Sequence, residues 1–272
     1  MNNIAFSCWC TIVPTKKTHV SVFQNVKQAP TNVHLHNSVS GLFVKNSQSK
    51  LDMKKFVIGF ILLAAVSQSC APYQYGPFMK QNQIRQVFPP ILKFMDYKAG
   101  MTFADVGAAS GALTVMMATL MDSSAVYIQD IDTAHLQSNN VEKIIDYYSR
   151  QCKTDLRRKN TFQVVIGDKE HSNLPEQSVD LIYTNATFHT LDFPDAMLTD
   201  LHRKLKPDGR IFIRDGFRNF GGGSYCTDKK CGKHLVTVDE FLAMMKKNGF
   251  ELVKQSPNMD GYPLFGFKRS IN

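Results

Sequence analysis

From Thr102 onward, short apolar runs alternate with longer amphipathic stretches, and this alternation constrains the fold more than any other feature of the chain. Strands are predicted at Thr102–Val106, Ala125–Gln129, Phe162–Ile166, Val179–Tyr183 and Arg210–Arg214. Helices are predicted at Ala112–Met121, Thr133–Gln151, Pro194–Leu205 and Val238–Asn248. Such an order implies a parallel sheet wound with helices, with ligands held at the carboxyl ends of its strands. Two last strands, Glu251–Gln255 and Pro263–Lys268, joined by Pro257-Asn258-Met259-Asp260-Gly261, read as an antiparallel hairpin added at one edge. Before the first strand, Phe78 to Tyr97 reads as helical but interrupted at Pro89-Pro90, with Ile84, Val87, Phe88, Ile91, Leu92 and Phe94 as its apolar face. Residues 71–98 are therefore expected to cap the ligand site or a sheet edge.

At 272 residues and 43% hydrophobic, the chain holds one α/β domain, residues 99–272, plus N-terminal material, and a second full domain is not expected. Its net charge of +9 is unevenly spread. Seven lysines and one aspartate fall in the first 70 residues, which leaves the globular part only about +3. The cluster Arg157, Arg158, Lys159 reads as the solvated end of a helix, and nucleic acid is not an expected partner.

Residues 53–70 begin Met53-Lys54-Lys55, continue through an apolar core from Phe56 to Val66, and end Ser67-Gln68-Ser69-Cys70. That is the layout of a secretory signal, too short for a spanning helix. It resembles a bacterial lipoprotein signal with Cys70 as the lipidated residue, although Ser67 replaces the usual Leu. The implied location is the bacterial envelope, with membrane association through the N-terminus; an uncleaved anchor facing the cytoplasm and a buried helix are the alternatives. Residues 1–52 show no sustained periodicity and read either as an extension ahead of a start at Met53 or as a disordered or targeting segment. His19, His34 and His36 have no ligand spacing, and no metal site is expected.

The stretch Phe103-Ala104-Asp105-Val106-Gly107-Ala108-Ala109-Ser110-Gly111-Ala112-Leu113 runs from a hydrophobic strand through small residues into a helix, so a bulky ligand can approach its backbone. A nicotinamide fingerprint places glycines at 107, 109 and 112; Ala109 and Ala112 occupy two of these, which disfavours a dehydrogenase. The second strand ends in Gln129-Asp130-Ile131-Asp132, where Asp130 can accept both hydroxyls of a ribose and Asp132 can cap the following helix. The third ends in Gly167-Asp168, an acid able to accept from an adenine amino group or to close a turn.

Together these elements resemble the class I S-adenosylmethionine-dependent methyltransferases, in particular small-molecule enzymes of the type that includes those of quinone biosynthesis. The resemblance continues through Asn173-Leu174-Pro175 to Tyr183, Phe188-His189-Thr190-Leu191, Leu205-Lys206-Pro207-Asp208-Gly209-Arg210 and Asn248-Gly249-Phe250. It implies a Rossmann-like doubly wound sheet, S-adenosyl-L-methionine as cofactor and a small-molecule methyl acceptor. By that resemblance Asp105 and Gly107, Ala108, Ala109, Ser110 and Gly111 hold the amino-acid end of the cofactor, Asp130 with Ile131 the ribose, and Asp168 with Lys169 the adenine. Asn185 sits beside the methyl donor. The family's middle glycine is Ala109 here, whose methyl can crowd the cofactor.

His189 is the candidate general base, with a structural histidine as the alternative. Tyr183 reads as core, and His171, His202 and His234 as surface residues. An insertion after the fifth strand, Asp215 to His234, is rich in glycine and reads as a substrate loop. Its Cys226 and Cys231 match no strong zinc pattern; a local disulfide and two free thiols are the readings. Export conflicts with a donor made in the cytoplasm, so the rival to a methyltransferase is a noncatalytic envelope binding module on the same fold.

Overall fold

The computed structural model describes residues 78–218, 232–259 and 261–270. The expected signal with Cys70, the pair Cys226 and Cys231, and residues 1–52 lie outside them.

Seven strands form one sheet in the order β3-β2-β1-β4-β5-β7-β6. They are β1 Thr102–Val106, β2 Ala125–Asp130, β3 Thr161–Ile166, β4 Val179–Asn185, β5 Leu205–Arg214, β6 Phe250–Met259 and β7 Tyr262–Arg269. The first five run parallel and β7 pairs antiparallel with both β5 and β6, giving the doubly wound sheet with an antiparallel edge hairpin read from the sequence. The direction of winding reverses between β1 and β4, so the loop leaving β1 opens at the switch point where such sheets bind ligands.

Alternation along the strands sends residues to two cores, one on each face. Phe103, Val126, Ile128, Leu181 and Phe212 join one core with the helices α1 Gln81–Phe94, α2 Ala112–Ala118 and α3 Ser138–Cys152. Ala104, Val106, Ile182, Ile211 and Ile213 join the other, under α5 Pro194–Lys204 and α6 Val238–Lys247. Phe241 of α6 sits at its centre, packed edge-on against Phe188, Phe265 and Phe267. Thr237 and Glu240 close the start of α6 reciprocally, each side chain accepting the other's backbone N–H.

The structure departs from the sequence reading at several points. Helix α1 continues through Pro89-Pro90. The carbonyls left without donors belong to Arg85 and Gln86, both exposed, so water can satisfy them while Ile84, Phe88, Ile91 and Leu92 stay buried. Asp132 caps a turn and not α3: its Oδ1 accepts from Ala134 and His135, and α3 begins later, at Ser138. Arg157, Arg158 and Lys159 lie on a separate short helix, α4 Leu156–Lys159, capped by Asp155. Strand β6 runs through Pro257 to Met259; it is the edge strand, and its register slips between Ser256 and Met259, where a missing N–H costs no ladder bond.

Candidate functional site

The carboxyl ends of β1 to β5, the face of α1 and the loops between them enclose a cavity of about 320 Å³. Its first wall is built by the backbone after β1. Gly107 and Gly111 have φ of +79° and +76°, and a Cβ on Gly107 would stand 2.2 Å from the Thr187 side chain, so both the turn and its neighbour require glycine there. The N–H groups of Gly107 and Ala108 donate to the Gln129 carbonyl, each at 2.9 Å, which stitches this turn to the end of β2. Ala109 also lies in the left-handed region, at φ +49°, and its N–H donates to Asp130 Oδ2 at 2.7 Å.

Asp130 therefore holds the turn as well as facing the cavity; its Oδ1 accepts from Asp132 N–H at 2.9 Å. Each carboxylate oxygen has a further lone pair for a hydroxyl. Asp105 is buried, accepts the Thr114 hydroxyl at 2.5 Å and lines the cavity. Burial pushes its carboxyl up to about 7, against the hydrogen bond from Thr114, and the nearby Asp130 charge adds to the rise. Such a carboxyl is poised to ionise beside a cationic ligand group.

At the far end, Asp168 closes its own turn by accepting the N–H groups of Glu170 and His171, each at 2.8 Å, and these hold its carboxyl below the usual range. It also lines the cavity with Lys169, whose ammonium pairs with Asp192 at 2.8 Å. Asp192 in turn meets Lys233, and the two lysines hold its carboxyl down to about 2.

The opposite wall is assembled from β4, β5 and α1. Asn185 accepts from the Tyr183 hydroxyl at 3.3 Å and from Arg214 Nη1 at 2.6 Å. Thr187 donates back to the Gly107 and Asn185 carbonyls, each at 3.2 Å, and so links the β1 and β4 loops. Val87, Phe88 and Ile91 of α1 give this wall its apolar surface.

All the residues the sequence assigned to cofactor contact, Asp105, Gly107 to Gly111, Asp130, Ile131, Asp168, Lys169 and Asn185, come together in this structure; Gly111 starts α2 and the others line the cavity. His189 does not line it. Its ring is buried, with Nδ1 2.6 Å from Asp215 Oδ1, and the His189 backbone N–H donates to the other oxygen of the same carboxylate. Tyr183 is core, as expected, but it also faces the cavity. His171 and His234 are exposed; His202 is half-buried against Phe250.

Sequence reasoning passed over Thr187, Gln129 and Arg214. Arg214 carries a legible signal, a charge ending the apolar run Ile211-Phe212-Ile213, which is the same rule that picked out the strand-end acids. Gln129 carries none, because an amide before a strand-end acid is common in turns.

Residues 104–213 match the family of methyltransferase domains. A malonyl-[acyl-carrier protein] O-methyltransferase of Geobacter sulfurreducens is 30% identical over 165 residues, 55% of this chain and 55% of that protein. A phosphoethanolamine N-methyltransferase of Triticum aestivum is 26% identical over 58% of this chain and 26% of its own length. The chain thus spans about half the length of the first relative and about a quarter of the second. The fold is that of a SAM-dependent methyltransferase from Aquifex aeolicus, which it matches at a TM-score of 0.51 and 20% identity over 70% of this chain and 97% of that one.

The cavity suits S-adenosylmethionine on grounds independent of those likenesses. Gln129 is buried in its wall, and its Nε2 has no hydrogen-bond partner among the described residues, which leaves a donor for a ligand to satisfy. Ile131, apolar and 49% exposed, offers a face for a ring to cover. Glycine turn, strand-end acids, orphan donor and apolar face all line this one cavity.

Proposed function

We propose that this chain transfers the methyl group of S-adenosylmethionine to a small-molecule acceptor. One observation carries the reading: three strand-end carboxylates, Asp105, Asp130 and Asp168, face one cavity around a backbone turn that has no room for side chains at Gly107. The match of residues 104–213 to methyltransferase domains supports it, and the two relatives are named for acceptors of different kinds, one carried on a protein and one free.

S-adenosylmethionine, when bound, supplies a methyl group on a positively charged sulfur that leaves as a neutral thioether. The protein's part is then alignment and exclusion of water. Asp130 accepts the ribose hydroxyls, Asp105 faces the ammonium of the amino-acid end, and the turn from Gly107 to Ser110 lets the ligand approach the backbone. Asp168, Lys169 and Ile131 surround the base, with Gln129 donating to it. Helix α1 closes the apolar side and keeps water from the acceptor; Asn185, fixed by Arg214 and Tyr183, borders the point of transfer.

Calorimetric titration of S-adenosylmethionine and S-adenosylhomocysteine tests this reading. Micromolar binding, weakened about ten- to a hundredfold in Asp130→Ala through loss of charge-assisted hydrogen bonds, is expected. Absence of binding to the wild-type chain would leave the noncatalytic binding module in its place.

A further inference from the structure

We infer that the methyl acceptor offers an oxygen, and not an amine, at the point of transfer, and that the side-chain amide of Asn185 is the specificity-determining group that selects it. The inference rests on the methyl-transfer reading for the identity of the site and adds the chemical class of the atom that is methylated.

The selection follows from which end of the amide is left for a ligand. Tyr183 and Asn185 stand two apart on β4, and Asn185 is the ladder partner of Arg214 on β5, so the three side chains share one face of the sheet. Nη1 of Arg214 donates to Asn185 Oδ1 at 2.6 Å, and the Tyr183 hydroxyl donates to the same oxygen at 3.3 Å. A guanidinium has donors only, so the atom that meets it has to be the amide oxygen, and chemistry alone tells the two ends of the amide apart. Nδ2 is thereby turned the other way. It has no hydrogen-bond partner among the described residues, is open to solvent, and belongs to a half-buried side chain that lines the cavity. Two donors on Oδ1 also polarise the amide and strengthen its N–H groups.

A donor fixed at that place discriminates between nucleophiles. An amine about to be methylated needs its lone pair for the reaction and has only N–H groups left to offer, which an amide N–H cannot accept. An ionised oxygen has lone pairs to spare, so it can accept from Nδ2 and still attack, and donation to the charged form favours ionisation. Its bond to the methyl carbon forms as the carbon–sulfur bond breaks, with that electron pair going to sulfur. No proton has to move in the step, in keeping with His189, which is engaged by Asp215 and does not line the cavity. Val87, Phe88 and Ile91 of α1 complete the wall with apolar surface, so the oxygen is carried on an apolar body. An acidic hydroxyl on a ring, as in a phenol, combines the two requirements.

The probes are para-nitrophenol and para-nitroaniline, which share a shape and differ in hydroxyl against amine. Each is titrated calorimetrically into the full chain saturated with S-adenosylhomocysteine, at an alkaline pH where the phenol is ionised. The phenolate is expected to bind about ten- to a hundredfold more tightly than the aniline. Asn185→Ala is expected to lose that preference while thermal unfolding remains cooperative and S-adenosylhomocysteine binds within about threefold of its wild-type affinity. Asn185→Asp keeps an oxygen for Arg214 and Tyr183 but puts a charged hydrogen-bond acceptor where the donor stood. It is expected to reverse the order of the probes, a change that a merely structural role would not produce, and it carries the test if the alanine variant does not fold. Equal binding of the two probes, tighter binding of the aniline, no phenolate binding to the wild-type chain, or an undiminished preference in both variants would overturn the assignment. So would a larger loss of S-adenosylhomocysteine affinity in Asn185→Ala, which would give the amide to the cofactor. Failure of the wild-type chain to bind S-adenosylhomocysteine would count against the methyl-transfer reading instead, and the same titrations in the ligand-free chain would still decide the role of Asn185.

Discussion

The two walls of the cavity are built in opposite ways. The wall assigned to the cofactor comes from a nearly continuous stretch, Asp105 to Ile131, plus Asp168 and Lys169, and its chemistry is backbone N–H groups and carboxylates. The opposite wall joins α1, the end of β4 and the end of β5, drawn from positions more than a hundred residues apart, and it combines an apolar helix face with the Asn185 and Arg214 side chains. A ligand common to many enzymes can be met by local turn geometry, which a short motif encodes. A ligand peculiar to one enzyme is met by whatever the tertiary fold brings together.

The sharpest way to break this comparison is at Asp105, whose carboxyl is buried in the cofactor wall. Its carboxyl ionises near 3.8 in an unfolded chain and at about 7 in the fold, because burial disfavours the charge. The folded state therefore holds the extra proton between those values. Its contribution to stability is complete below about pH 4 and is lost as the pH rises through about 7, for a total of up to about 4 kcal/mol. Denaturant unfolding of the wild-type chain and Asp105→Asn across this range measures it. The wild-type stability should fall relative to that of the variant, and parallel curves would show that the site carries no such strain. Binding reverses the sense: a ligand ammonium favours the ionised form, so affinity for S-adenosylhomocysteine should rise as the pH passes through about 7.

A smaller effect is expected at Gly107, where the two walls touch. Gly107→Ala places a methyl group in a left-handed conformation and within 2.2 Å of the Thr187 side chain. Backbone strain and overpacking together should cost about 3 kcal/mol. In the double variant with Thr187→Gly the overpacking share should return while the backbone share remains, since the residues are in contact and their effects couple. Additive losses in that cycle would mean that the β1 and β4 loops are independent and that the walls are not joined there.

This division also explains what the sequence made legible. The strand order and the edge hairpin follow from alternation and from the turn chemistry between elements, and Asp105, Asp130 and Asp168 stand at strand ends where a period-two pattern stops. The continuity of α1 through Pro89-Pro90 was not legible, because it depends on which carbonyls face water once the helix is packed. Nor was the setting of His189, whose ring is engaged by Asp215, twenty-six residues away along the chain. Arg214 was visible as a strand-end charge, but its packing beside Asn185, Met259 and Tyr262 comes only with the folded sheet.

The smallest effect concerns Ala109, the position at which the cofactor turn departs from the glycine that the resemblance implies. Its φ of +49° is costly for any residue with a Cβ, by about 1–2 kcal/mol, yet glycine there would gain more freedom in the unfolded chain, worth about 0.5–1 kcal/mol. Ala109→Gly should therefore stabilise the chain by only about 0.5 kcal/mol, read by denaturant unfolding. The effect on ligand affinity separates two explanations of the alanine. Ala109 is exposed, and its N–H, not its methyl, is what holds Asp130. If the methyl merely strains the turn, S-adenosylhomocysteine should bind the variant within about threefold of the wild-type affinity, as is expected from this geometry. A larger gain would mean that the methyl crowds the ligand, and that the cofactor wall departs at this turn from the geometry the resemblance implies.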